Sequence, residues 1–229
     1  MEFRNTEVWG FKHALRGMRN PKDSWDKSDS EYWLPNKFME ENVGGEDIEW
    51  TPYHIGKNDM ELAQTLIKAG NEHCKFMRMI HVSADVGMPR YWWSEADTYH
   101  FNTKNSCSTM HKLLNRNTPI TLDMFVTSEE DLDIAQIVVE RLEQLRQEYK
   151  TIQSSTKDNK KMNRLLLRAK RLLMEGFLQM RTWDTTYAEI RNMYFQRRHH
   201  RLKEEWIDTF CKWVELLPYA ESLIMYEGE

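Results

Sequence analysis

The sequence predicts an α/β (α+β) domain, and three observations carry that prediction. Runs near residues 6–17 and 74–86 are rich in β-branched and aromatic residues or alternate with the period of a strand. Segments within 128–175 and 184–217 place apolar residues three and four apart, the period of a helix. The chain has 229 residues, 40% hydrophobic and 30% charged, which suits one sizeable core and is too short for several large domains. With 32 Lys+Arg against 36 Asp+Glu, the formal net charge of -4 argues against a general polyanion binder, so nucleic acid is not an expected partner. No apolar run approaches the roughly 18 residues of a membrane helix and no signal segment is evident, so a cytoplasmic protein without a membrane partner is expected. Cys74, Cys107 and Cys211 are odd in number and lack C-x-x-C spacing, which suggests neither a disulfide framework nor a metal site.

Taken in order, residues 6–17 (TEVWGFKHALRG) read as a strand that ends in the turn Asn20-Pro21-Lys22-Asp23-Ser24. Residues 26–58 carry Pro35, Gly44, Gly45, Pro52 and Gly56 among many charges and read as a long surface loop. Asn58 or Asp59 caps a helix through Leu62, Leu66 and Ile67, closed by Gly70. From Cys74, the positions Phe76, Ile80, Val82, Ala84 and Val86 fit a half-buried strand with Arg78 as the exception, while Met77 and Met79 keep a helix open. Thr127-Ser128-Glu129-Glu130 is an acidic cap for a helix to about Tyr149. Leu165, Leu166, Leu172 and Leu173 mark a second, basic helix, so 128–175 reads as an antiparallel hairpin. Residues 184–217 read as a last helix, docked at both ends and exposed in its middle. One of its stripes, Thr185, Glu189, Asn192, Gln196, His199 and Lys203, is wholly polar, and its neighbour passes from Tyr187, Ile190 and Tyr194 to Arg197 and Arg201.

Arg191, Arg197, Arg198, His199, His200 and Arg201 concentrate positive charge within eleven residues. Two guanidinium forks suffice for a mononucleotide phosphate, at about 1.5 to 3 kcal/mol per charge-assisted bond. A solvated basic face paired with the acidic helix is the equal alternative. His199 and His200 point about 100° apart on a helix and have no ligand partner at helical spacing, which disfavours a metal. Tyr91-Trp92-Trp93 either stacks on a base or flavin ring, at about 1 to 3 kcal/mol per base, or anchors packing. Glu95 and Asp97 are a weak acid–base pair. Ser106 and Ser108 either take a phosphate at a helix N-terminus or serve as a cap. No Gly-rich phosphate loop, H-E-x-x-H or G-x-S-x-G is present.

These pieces together resemble the flavin-dependent thymidylate synthases, an α/β family of homotetramers with active sites between subunits. Val8 to Ser24, with Ala14-Leu15-Arg16-Gly17, looks like that family's first strand, and Glu72-His73 before Phe76 looks like its Glu-His pair. Pro89-Arg90-Tyr91-Trp92-Trp93 is similar to the run before its signature. Trp183-Asp184-Thr185-Thr186, then Asn192 and Arg197, keep its spacing, and Trp206 follows where the family often has Trp. The similarity covers most of residues 6–215, apart from the 26–58 loop and part of the hairpin. Uncharacterised bacterial and phage proteins are also similar, sharing the P-R-Y-W-W and S-T-M-H words.

The resemblance implies one thymidylate-synthase-complementing-like domain over residues 1–229, a mixed sheet with long helices and an inserted helical hairpin, assembled as a homotetramer. It implies a nucleotide ligand met by Arg90, Trp92, Ser106, Ser108, Asn192, Arg197, Arg198 and Arg201, and FAD met by His73, Trp93, Glu95 and His199. The implied reaction is methyl transfer to a uridylate, with flavin as hydride carrier and folate as one-carbon donor. The family's Arg-His-Arg signature, however, aligns with Ser94-Glu95-Ala96. Loss of two cations and gain of Glu95 weigh against an anionic flavin. The alternatives are a catalytically inactive binder that sequesters a signalling nucleotide, such as a phage-encoded sponge, and an interaction module whose basic helix and aromatic run meet another protein.

Overall fold

A computed structural model describes residues 1–33 and 47–228. The chain divides into two compact units, one holding Gly87–Asp97 and Asn105–Arg181, the other Glu2–Val86, Thr98–Lys104 and Thr182–Glu229. In the latter, strand β1 (Glu2–Trp9) stops at Gly10, whose φ is 100°. A Cβ at Gly10 would lie 2.1 Å from the Met79 carbonyl oxygen, so only glycine fits this bend. Helix α1 (Phe11–Arg19) follows and buries Phe11, Ala14, Leu15 and Met18, the i, i+3, i+4, i+7 set. The strand expected over 6–17 is therefore corrected. Alternation holds at Thr6 and Val8, and helical spacing takes over after the glycine.

Within 26–58, β2 (Glu31–Tyr32) pairs antiparallel with β4 (Tyr53–His54), while β3 (Ile48–Trp50) runs parallel to β1 with Val8 opposite Trp50. Trp33, Trp50, Tyr53 and Ile55 are buried, so its described part is more than a surface loop; residues 34–46, with Pro35, Gly44 and Gly45, lie outside the described residues. Helix α2 (Lys57–Lys68) ends before Gly70 as expected. Its cap differs from expectation, because Asp29 accepts from the amides of Asn58 at 2.8 Å and Asp59 at 3.1 Å. The Asp59 side chain turns inward instead, accepting from Arg19 Nε at 2.5 Å and from the hydroxyls of Ser28 and Ser30. Residues Lys75–Met79 form a 3-10 turn, and strand β5 (His81–Pro89) starts only after it.

The other unit is built on α3 (Arg90–Ala96), α4 (Thr109–Lys112) and the helices α5 (Leu132–Ser154) and α6 (Asn159–Leu172). Leu113, Leu114, Leu142, Leu145, Leu165 and Ala169 form its core. Asp158 starts α6 by accepting from the amides of Lys160 and Lys161. With β6 (Thr103–Ser106) and β7 (Leu178–Thr186) the five-stranded sheet has the order β3-β1-β5-β7-β6.

The single helix expected over 184–217 is corrected. Asp184–Thr186 end β7, with Trp183 and Thr185 buried at strand period, and α7 spans Tyr187–Arg197. Wider π-type turns occupy Lys203–Cys211 and Ala220–Ile224, flanking α8 (Lys212–Glu215). Trp206, Phe210 and Trp213 are buried, as their spacing required.

Candidate functional site

The polar stripe read from the sequence begins in β7 and continues along α7, where Thr185, Glu189, Asn192 and Gln196 line a cavity of about 700 Å³. This volume lies within the usual range for small-molecule sites, about 300 to 1,000 Å³. All of the lining comes from the larger unit. Thr186 caps α7 by accepting from the Glu189 amide at 3.4 Å, which fixes the helix start at the cavity.

The segment Thr98–Lys104 is fastened along α7 by a ladder of polar contacts. Thr185 Oγ1 donates to the Phe101 carbonyl at 3.2 Å, and the Glu189 carboxyl accepts from the backbone amides of Phe101 and His100. The Tyr99 hydroxyl donates to Gln196 Oε1 at 3.0 Å and accepts from Arg197 Nε at 2.9 Å. Burial pushes the Glu189 carboxyl above its ordinary range, opposed by its amide donors and by His100 and Lys104. The ladder holds the Phe101 ring 70% exposed at the cavity, with the Arg78 guanidinium 5.9 Å from its centroid.

Arg191 is differently committed. It donates to the carbonyls of Leu223 and Ile224, lies 4.6 Å over Phe195, and is shifted down by burial. Asp184 accepts from Ser83 Oγ at 2.8 Å and stands 3.7 Å from His81 Nδ1. Asn71, Asn102, Asn192 and Gln196 add four amides, of which Gln196 donates to Asn192 Oδ1 at 2.8 Å. Cys74 also lines the cavity, but burial raises its thiol above the ordinary value and away from the reactive thiolate. The arrangement suits a planar ring against Phe101, an anionic group at the exposed Arg78, and polar ring edges at the amides.

Of the residues singled out in the sequence for a ligand, the cavity takes Asn192 and Arg191, the latter committed to the Leu223 and Ile224 carbonyls. Arg197 lies outside the lining, 4.5 Å over Trp206 and 5.5 Å over Tyr99. Arg198 pairs with Glu227 and covers Phe195, while His199 and Arg201 are exposed outside the lining. His73 is exposed beside Cys74. In the smaller unit Arg90 pairs with Glu175 at 3.2 Å, and Glu95 is half-buried in α3. Ser106 is exposed on β6, and Ser108 caps α4 by accepting from the His111 amide, the second of its two readings.

Trp92 and Trp93 require a correction: both are fully buried, edge to face at 4.8 Å, so neither face is open to a base or flavin. Trp93 Nε1 donates to the Gln179 carbonyl and Arg181 covers its ring at 4.2 Å. Sequence reasoning missed Arg78, Phe101 and Asn102. Arg78 did leave a signal, as the charged exception in an otherwise apolar pattern; Phe101 and Asn102 sit in a polar stretch with none.

Two solved structures of the flavin-dependent thymidylate synthase ThyX from Helicobacter pylori, both with FAD and dUMP, superpose over the whole length. One has a TM-score of 0.64 at 16% identity, covering 99% of this chain and 98% of that one; the other has 0.65 at 16%, covering 98% and 97%. This chain shares the ThyX fold. No protein-family model and no curated protein matches the sequence, so the likeness is one of architecture. Among the described residues no helix is long and apolar enough to cross a membrane, and no group of three His, Cys, Asp or Glu is placed to hold a metal. FAD is present in both of those complexes. Here Ser94-Glu95-Ala96, the residues the resemblance sets at the family signature, fall in the second half of α3, none of the three is a cation, and Ala96 is buried. They do not fit the phosphates of a flavin dinucleotide.

Proposed function

We propose that this chain binds a nucleotide in the cavity beside α7. Phe101 gives the base a face, the amides of Asn102 and Asn192 meet its polar edge, and Arg78 takes the phosphate. The observation that carries this reading is the meeting of an exposed phenyl ring, an exposed guanidinium and four amides in one cavity of about 700 Å³. The fold shared with nucleotide-bound ThyX structures supports it. Ser94-Glu95-Ala96 favours retention of the nucleotide without flavin-dependent methyl transfer, which is the sequestering version of the reading.

The test is titration calorimetry against mono-, di- and cyclic nucleotides, followed by analysis of the recovered ligand. One class binds and is recovered unchanged, and Arg78→Ala weakens it by about tenfold or more, the loss of one charge-assisted contact. Absence of affinity across the panel sinks the reading. Recovery of a methylated uridylate replaces sequestration by turnover.

A further inference from the structure

Two carboxylates, Asp184 and Glu189, line the cavity beside α7, and they are held in different ways. Glu189 is buried and accepts from the backbone amides of His100 and Phe101. Asp184, near the end of β7, keeps 40% of its side chain exposed. Ser83 Oγ on the neighbouring β5 donates to its Oδ2 at 2.8 Å, so one oxygen fixes the carboxylate to the sheet. The other oxygen, Oδ1, faces His81 Nδ1 across 3.7 Å, too long for a direct hydrogen bond. Trp9, at the end of β1, stacks on the His81 ring with centroids 5.5 Å apart and planes 10° from parallel, which holds the imidazole in place. A polar gap of that width has room for a bridging hydroxyl or water.

An ionised carboxylate only accepts hydrogen bonds and repels a phosphate, so the part of a nucleotide that it meets is a neutral donor. With the base against Phe101, its polar edge at Asn102 and Asn192, and the phosphate at Arg78, the donors left over are the hydroxyls of the sugar. We infer that Asp184 Oδ1 accepts the 2′-hydroxyl of a ribose, with His81 beside it, so that the cavity selects ribonucleotides over 2′-deoxyribonucleotides. This inference rests on the nucleotide reading of the cavity and names the sugar within it. An acidic side chain that accepts a ribose 2′-hydroxyl is a known solution in dinucleotide-binding folds. Removing the hydroxyl leaves Oδ1 without that donor, and a site built to hydrogen-bond a hydroxyl rejects the analogue that lacks it. Because Asp184 is only partly covered, water replaces some of the lost bond and the selectivity stays far below that of a fully buried site.

The test is titration calorimetry on the full chain with the mono-, di- and 3′,5′-cyclic phosphates of the four common ribonucleosides, each against its 2′-deoxy counterpart. The class that binds does so about tenfold or more tighter as the ribonucleotide. Asp184→Asn brings the two sugars within about twofold by weakening the ribonucleotide alone, because the new amide oxygen still accepts from Ser83 but no longer offers a charged acceptor to the hydroxyl. The preference of the unaltered chain is read without any substitution, so the test stands even if that variant does not fold. Equal or tighter binding of the deoxynucleotide overturns the inference and leaves the nucleotide reading intact, whereas no affinity anywhere in the set overturns both. A ribose preference that survives Asp184→Asn places the hydroxyl elsewhere and overturns it. A loss in that variant shared equally by both sugars places the carboxylate at the base, which overturns it as well.

Discussion

Glu189 and Asp59 show how one chemical group is pushed in opposite directions by its surroundings. Burial raises the Glu189 carboxyl, so its contribution to stability is fully present below the unfolded value, about 4.3, and is lost as pH rises through the folded value. Glu189→Gln keeps an acceptor for the two amides and removes the titration. Unfolding midpoints measured between acid and neutral pH therefore lose, in the variant, the fall with rising pH that Glu189 contributes, and an unchanged pH slope would count against this account. At Asp59 burial also raises the carboxyl, but hydrogen bonds from Ser28, Ser30 and Arg19 outweigh it and the net shift is downward. Its contribution is present above the unfolded value and is lost as pH falls through the folded one. Asp59→Asn leaves the Arg19 guanidinium buried without its counter-charge, which costs about 3 to 5 kcal/mol, readable by denaturant titration.

Among the elements, α7 matters most for the proposed site and the α5–α6 hairpin for the core of the smaller unit. Loss of the Thr186 cap in Thr186→Ala costs about 1 kcal/mol and loosens the start of α7, where the cavity lies. Nucleotide affinity measured by calorimetry should fall with stability in that variant; full affinity would place the ligand elsewhere. In the hairpin, Glu143 accepts two bonds from Arg146 at 2.7 Å and one from the Ile120 amide at 2.8 Å. Its hydrogen bonds, those from Arg146 foremost, hold its carboxyl down at about 2. That anchoring is therefore complete above the ordinary carboxylate range and disappears only as pH falls toward about 2. Leu142→Ala, at a fully buried position of the hairpin core, costs about 2 to 5 kcal/mol in equilibrium unfolding. Both hairpin helices were legible from their apolar period. The 184–217 region was misread because a polar residue every three or four positions accommodates a strand end followed by a helix as well as one continuous helix.

For the whole molecule, the reading that separates this chain from flavin chemistry has a direct spectral outcome. The purified protein should be colourless and take up no added FAD, as judged by absorbance in the flavin band after gel filtration. A yellow preparation would show that cations outside Ser94-Glu95-Ala96 hold the cofactor, and would reopen methyl transfer.

The sequence by itself determined the class of fold, the positions of α2, α5 and α6, and the polar stripe through Thr185, Glu189, Asn192 and Gln196. Periodicity and capping are local, and local patterns survive without knowledge of neighbours. Only the tertiary structure decided that this stripe borders a cavity, that Arg78 and Phe101 complete it from distant segments, and that Trp92, Trp93 and Arg197 are spent on packing. Whether an aromatic ring or a guanidinium is open to a ligand depends on what the rest of the chain lays against it, and residues a hundred positions apart leave no trace of that meeting in a linear pattern.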